Sequence, residues 1–284
     1  MRPLAEWSLA DRRQLIGVFT DIDDTLTTEG AITADALQAL AALRAAGLHV
    51  IPITGRPIGW SEPFARGNPT LGLLPWPVDA IVAENGALAF CLPNLNLNGL
   101  RGKPAVLKQL LKIYHQDELT RAANFAKMQA VVQQVLQTVP GSQCSQDSAG
   151  RETDIAIDHS EFTHLSAQGI AQVVALLQNA GMTATVSSIH INGWFGAHNK
   201  LEGARWIVQA LFARDLDTER QRWAFVGDST NDQLMFEHFE HSIGVANVRR
   251  FEAALAHKPR FITPSERGAG FAEVVAAILQ ARST

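Results

Sequence analysis

The segment VFTDIDDTLT sets three carboxylates, Asp21, Asp23 and Asp24, directly behind a short apolar run, Leu15 to Thr20. A run so rich in β-formers reads as a buried strand. Ligands of open α/β sheets gather at the carboxyl ends of strands, where this acidic turn falls. If the extended geometry persists, Asp21 and Asp23 face one side and Asp24 the other. Two carboxylates on one site repel each other unless a cation or a proton sits between them. The plain alternative is an acidic turn closed by Asp24 and Thr25. A second cluster repeats the pattern: in AFVGDSTND a buried strand runs into Gly227 and Asp228, followed by Asn231 and Asp232. Gly227 permits close backbone approach. Here the alternative is a helix N-terminus, whose dipole favours carboxylates.

Taken together, Asp21, Asp23, Asp228 and Asp232 would converge at one edge of one sheet. A hard divalent cation is the natural solution, and with no Cys or His nearby the oxygen donors favour Mg2+ over zinc. Magnesium commonly binds one or two carboxylates plus a substrate phosphate. Thr54 ends a second apolar run, HVIPIT. Its hydroxyl and the amide of Gly55 could donate to a phosphate, or Thr54 could simply cap a helix before Pro57. The ammonium of Lys200 could neutralise phosphate oxygens and the Asp21 carboxylate. A lone lysine is ordinarily a solvated surface residue, so Lys200 gains meaning only from the whole set.

The elements that must position these groups follow from periodicity. Strand, helix and strand alternate through residues 1–87: Leu15 to Thr20, a helix after Thr33 ending at Gly47, His49 to Thr54, and Ala80 to Ala83. That alternation argues for a parallel α/β sheet, although Pro52 is awkward in a central strand. The pattern changes over 88–193. Residues 93–104, rich in Asn, Gly and Pro, read as a loop. Helices over Leu119–Thr138 and Ser166–Ala180 flank a half-exposed strand at Thr153–Asp158, and Thr183–Phe195 reads as one or two further strands. This is a small α+β unit inserted into the core. From 194 to 284 the first pattern returns, with Lys200 opening a helix, a strand at Arg222–Val226, a helix at Asp232–Phe239, strands at Ser242–Ala246 and Phe261–Thr263, and a closing helix at Gly270–Ala281. The fold class is α/β: a doubly wound, Rossmann-like parallel sheet split by an inserted α+β cap.

The ordered set DIDDT, strand-final Thr54, Lys200 and GDSTND resembles the four motifs of the haloacid dehalogenase superfamily over residues 17–232. TGRP and AENGA (Ala83 to Ala87) look like the branch with a large α/β cap between the second and third motifs. That branch holds Cof-type sugar-phosphate phosphatases, sucrose-phosphate phosphatase, mannosyl-3-phosphoglycerate phosphatase and phosphomannomutase. The resemblance implies that Asp21 is the nucleophile and forms an aspartyl-phosphate. It implies Mg2+ held by the Asp21 carboxylate, the Asp23 main-chain carbonyl and Asp228, with Asp232 in or behind that set. Asp23 would serve as acid and then base, and Thr54, Gly55 and Lys200 would hold the phosphoryl group.

Substrate choice should lie in the cap. His190, Asn192 and Trp194 share one face of an extended segment, so Trp194 could meet a sugar ring, or could be core. His190 could bind substrate or be structural. Arg151, Glu152 and Asp154 could reach hydroxyls or form a wet strand face. Arg56 could meet a second anionic group or sit in a surface ion pair. Asn85 and Asn231 could line the site, or Asn85 could serve only its turn with Gly86. Asn199 departs from the acidic or small residue of several relatives, which bears on how Lys200 is oriented.

The chain has 284 residues, 46% hydrophobic and 18% charged, enough to bury a sizeable core. A net charge of −4 offers no basic field for nucleic acid or anionic membrane. Two cysteines, no signal-like start and no long apolar run point to a soluble, cytoplasmic protein. The reading that results is a Mg2+-dependent phosphatase of a small phosphorylated metabolite, a sugar phosphate first. A phosphomutase of the phosphomannomutase type, or a non-catalytic binding protein on the same fold, are the alternatives.

Overall fold

The computed structural model describes residues 1–68, 70, 72–92 and 109–283. The loop read at 93–104 lies outside the described residues. The chain begins with β1 (Arg2–Pro3), α1 (Leu9–Arg13) and β2 (Gly17–Thr20). A small hairpin, β3 (Thr27–Thr28) and β4 (Ala31–Ile32), leads to α2 (Ala34–Ala45), β5 (His49–Pro52) and α3 (Ile58–Arg66). Then β6 (Ala80–Ala83) turns through Glu84–Gly86 into β7 (Leu88–Cys91), the partner of β8 (Leu111–Tyr114). Next come α4 (Glu118–Thr138), β9 (Gln143–Cys144), β10 (Ile155–Asp158), α5 (Ala167–Asn179), β11 (Thr183–Val186) and β12 (His190–Trp194). The chain closes with α6 (Lys200–Phe212), β13 (Trp223–Gly227), α7 (Gln233–His238), β14 (His241–Gly244), β15 (Phe261–Ile262) and α8 (Arg267–Ser283).

Six strands form a parallel sheet in the order β1-β15-β14-β13-β2-β5. Alternation along the strands fills two cores. Val18, Val50 and Val226 meet Leu40, Leu43, Phe271 and Ile278 from α2 and α8. Phe19, Ile51 and Phe225 meet Ile207, Leu211 and Met235 from α6 and α7. With both faces covered, every residue of β2 is buried, which is why the strand reads as an unbroken apolar run. This is the doubly wound α/β core that the alternating pattern implies.

Pro52 is accommodated by strand polarity. His49 and Ile53 donate toward β2, to the carbonyls of Ile16 and Thr20. Val50 and Thr54 donate to the other side, to Asp79 Oδ2 and the Val82 carbonyl. Pro52 falls between these two, where pairing with β6 is reduced to the single bridge Ile53–Val82, so its missing N–H breaks no ladder bond.

The described residues of the stretch 88–114 sit with the core and not with the inserted unit expected there. The described part of this stretch is a hairpin on β6, with β7 antiparallel between β6 and β8. Leu88 and Ala89 enter opposite faces of the main core, which keeps this stretch with the core sheet. The second sheet, β11-β12-β10-β9, is antiparallel. Helices α4 and α5 cover it, packing Met128, Val135, Val173 and Leu177 on Ile157 and Ile191. The strand expected to be half exposed, β10, is buried throughout. Its last carboxylate, Asp158, accepts from four successive N–H groups, Ser160 to Thr163, and so fixes the following loop. No described helix is long and apolar enough to cross a membrane. Cys91 and Cys144 are unpaired.

Candidate active site

Strands β2 and β13 are neighbours, so their acidic ends arrive side by side, and the Asp21 N–H donates to the Val226 carbonyl at 2.8 Å. Extended geometry does not continue past Asp21. The N–H groups of Thr25, Leu26 and Thr27 all turn back to the Ile22 carbonyl, and Asp24 sits at φ +54°. Asp21 and Asp23 still line one small cavity, while Asp24 pairs with Arg267 at 3.0 Å. Ligand oxygens of Asp21, Asp228 and Asp232 lie within 4.8 Å of one another. The Asp23 carboxylate is not in that group. It lies against Arg56, so three carboxylates converge, not four.

Lys200 is the counter-charge. Its ammonium donates to Asp21 Oδ1 at 2.5 Å and to Asp232 Oδ1 at 2.8 Å. Helix α6 holds it there. Asn199 caps the helix by accepting from the N–H groups of Leu201 and Glu202. Gly203 packs backbone to backbone on Gly86; a Cβ on Gly203 would fall 2.4 Å from the Gly86 Cα. The second oxygen of Asp232 accepts from the N–H groups of Asp228 and Ser229, so Asp232 braces the loop that carries Asp228. Asp228 Oδ2 accepts from the Asn247 amide at 3.0 Å, whereas its Oδ1 is buried with no hydrogen-bond partner.

The electrostatics are those of a pocket short of positive charge. Burial, then the fields of Asp21 and Asp232, pushes the Asp228 carboxyl well above the usual carboxylate range. Burial also pushes Asp21 up, against the pull of Lys200. Burial works against the Lys200 ammonium too, but Asp21 and Asp232 outweigh it and hold the lysine charged. Three carboxylates face one ammonium in a desolvated space, and one carboxylate oxygen has no partner. An orphaned buried oxygen is costly. An all-oxygen set of this charge fits a hard divalent cation such as Mg2+.

Beside this cluster Thr54 and Gly55 line the same cavity. Thr54 does not cap α3; its hydroxyl accepts from the Arg56 N–H at 3.0 Å, and Pro57 stands at the helix cap. Asn85, at φ +55°, donates its N–H to the Thr54 carbonyl and backs Gly55 without lining the cavity. Asn231 lines it, its Oδ1 accepting from the Ser229 hydroxyl. The cavity is only about 10 Å³ because the cap closes it with Ser187 to His190 and Asn192.

Cap and core are bolted together by polar groups. The Gly55 carbonyl accepts from Arg151 at 3.0 Å and from Asn192 at 3.3 Å. Arg151 and Asp154, expected on a wet strand face, are buried against each other at 2.7 Å under the core. Glu152 is the half-buried member, bonded to Lys112 and Tyr114. His190 reaches the cavity and pairs its Nε2 with Glu161 at 2.8 Å. Trp194 does not reach it. It stays in register opposite Thr183 at the end of β12, and the indole sits in the cap core with 0% exposure, its N–H donating to the His198 carbonyl. Arg56 is not waiting for an anion: Asp23, Asp147 and Glu161 already surround its guanidinium.

Sequence reasoning missed Glu84, Asp147, Glu161 and Asn247. Glu84 stood inside the ENGA motif, where its left-handed φ of +47° offered no sign in the sequence. Asp147 and Glu161 come from loops and Asn247 from a short 3-10 helix, Ala246–Phe251, none of which carries a readable periodicity.

A family model for haloacid dehalogenase-like hydrolases matches residues 18–180. No curated protein matches the chain. Several solved structures share the fold. One is a Thermoplasma acidophilum protein, with 15% identity, TM-score 0.65, and 93% of this chain covering 98% of that one. Another is the sucrose-phosphatase of Synechocystis, in complex with sucrose and phosphate, with 16% identity, TM-score 0.61, and coverage of 94% and 98%. A third is a subclass IIB sugar phosphatase, with 15% identity, TM-score 0.54, and coverage of 87% and 93%. With the family model spanning more than half of its length, the chain belongs to the haloacid dehalogenase-like hydrolases.

Proposed function

We propose that the chain is a Mg2+-dependent phosphatase that hydrolyses a small sugar phosphate through an aspartyl-phosphate. The observation that carries this is the buried Asp21 carboxylate, held by Lys200 beside the partnerless Asp228 oxygen and facing Thr54 and Gly55 across one cavity. The sugar-phosphatase relatives in fold lean the same way.

Asp21 attacks phosphorus; its O–P bond forms as the ester P–O bond breaks, and Asp23 gives its proton to the leaving oxygen. Asp23 then takes a proton from water, whose oxygen attacks the same phosphorus and frees Asp21 and inorganic phosphate. Lys200, the Thr54 hydroxyl and the Gly55 N–H hold the phosphoryl oxygens in place. The carboxylates of Asp21 and Asp228 and the Asp23 carbonyl would hold Mg2+, with Asp232 behind them. Bound there, the ion would screen the phosphate charge from the approaching carboxylate. A cavity of about 10 Å³ admits no more than one water, so the cap must swing away to let substrate in.

The test is phosphate release from p-nitrophenyl phosphate and a sugar-phosphate panel with Mg2+. Asp21→Asn should abolish turnover with the fold intact; near-normal turnover would overturn the reading. Adding a hexose bisphosphate separates a mutase, which would need it as activator.

A further inference from the structure

We propose that Asp147 and Glu161, by occupying Arg56, make this site reject substrates whose leaving group carries a second anionic group. The inference rests on the phosphatase reading and narrows its substrate class to monophosphates of uncharged polyols.

Arg56 projects from the end of the Thr54–Gly55 turn and is the cation paired with Asp23. Its Nε lies 3.0 and 3.1 Å from the two Asp23 oxygens. Its Nη1 lies 3.0 Å from Asp147 Oδ2, and its Nη2 lies 2.8 Å from Glu161 Oε1. Each of the three nitrogens therefore rests on a carboxylate, and the flat face of the guanidinium lies over Trp60. Asp147 and Glu161 belong to the cap. Asp158 fixes the Glu161 loop through its N–H groups, and the Ser145 hydroxyl holds Asp147 at 2.6 Å. Whenever the cap closes, two anchored carboxylates arrive at Arg56.

The leaving group must emerge next to Asp23. A cavity of about 330 Å³ opens there, within the size range of small-ligand sites. Arg56 is the only cation lining it among the described residues, against the carboxylates of Asp23, Asp24, Glu29 and Glu161. The neighbouring cation, Arg151, is committed to Asp154, Asp147 and the Gly55 carbonyl. His190 is committed to Glu161. A second phosphate or carboxylate entering here meets like charge with no free donor cation to offset it. Hydroxyl groups meet no such penalty, because carboxylates and the serines of the cap wall accept from them or donate to them.

The experiment measures kcat/KM with Mg2+ for p-nitrophenyl phosphate, a panel of pentose and hexose monophosphates, hexose bisphosphates and 3-phosphoglycerate. Wild type, Glu161→Gln and Asp147→Asn are compared, each normalised to its own p-nitrophenyl phosphate rate, with unfolding midpoints measured alongside. In wild type the best doubly anionic substrate should fall at least about tenfold below the best monophosphate, and both substitutions should narrow that gap several-fold, mainly through KM. If wild type takes bisphosphates as readily as monophosphates, or if neither substitution moves the ratio, this inference fails alone. If p-nitrophenyl phosphate is not hydrolysed at all, the phosphatase reading fails and takes the inference with it.

Discussion

Glu84 accepts from both the main-chain N–H and the hydroxyl of Thr153, each at 2.5 Å. The same buried carboxylate accepts from the Glu152 N–H in the cap and from the Ile58 N–H at the start of α3. One side chain of the core thus holds both the loop entering β10 and the helix that follows Arg56. Burial pushes its pKa up, opposed by these donors. Glu84→Gln turns one acceptor oxygen into a donor that must face other donors. It should cost about 1–3 kcal/mol in urea unfolding and loosen the cap junction toward proteases. An unchanged midpoint and an unchanged digestion pattern would show that these bonds carry little.

Among the described residues, Lys200 is the sole ammonium at the three buried carboxylates. Lys200→Met leaves their charge uncompensated, a change that costs about 3–5 kcal/mol when one partner of a buried pair is removed. Metal binding works in the opposite direction, since a ligand of the folded state raises stability by mass action. Thermal melts should therefore show a large loss in EDTA and a partial recovery with millimolar Mg2+. Wild-type melting that ignores Mg2+ would remove the cation from this site.

The core of this molecule is legible because its strands are buried on both faces. Val18 and Phe19 pack in opposite directions, yet both positions demand apolar side chains, so run length alone marks the strand. The carboxylates were legible because strand ends must deliver them to one sheet edge. The cap was less so. Trp194 shares strand parity with His190 and Asn192, but the His198 ring stacks on its indole and the His198 carbonyl accepts its N–H, a tertiary cover that parity does not report. Strand β7 pairs with β6 because Leu88 and Ala89 each find a core face, a tertiary preference that polarity does not report. Asp147 and Glu161 meet Arg56 from loops, across 91 and 105 residues of chain, and no local pattern encodes that meeting.

Asp23 sits between two duties. Arg56 holds it at 3.0 Å on the wall of the cavity, within reach of a water that attacks the phosphoryl group. Donating a proton to a leaving alkoxide is the step that a neutral, non-titrating amide cannot perform. Asp23→Asn should slow sugar-phosphate hydrolysis by about 10²–10⁴-fold and slow p-nitrophenyl phosphate much less, since nitrophenolate leaves without help. Steady-state rates for both esters decide it: equal losses would take the acid role away from Asp23.

His198 makes a prediction about acid stability. The ring is 4% exposed, stacks on Trp194, and neither nitrogen has a hydrogen-bond partner. Burial, then the nearby His115, lowers its pKa to about 4. The folded chain therefore keeps the ring neutral while the unfolded chain protonates it near the ordinary value. Between about pH 6.5 and 4 the unfolded state binds the extra proton, so stability is full above that window and falls as pH drops through it. The loss attributable to this one ring is at most ~3 kcal/mol. His198→Phe keeps a flat ring on Trp194 and removes the titration. Urea unfolding at pH 7 and pH 4.5 should show the variant losing less stability than wild type, by about 2 kcal/mol, whatever the other histidines contribute to both. Parallel losses in the two proteins would mean that water or a shift of the ring already satisfies the imidazolium inside the fold.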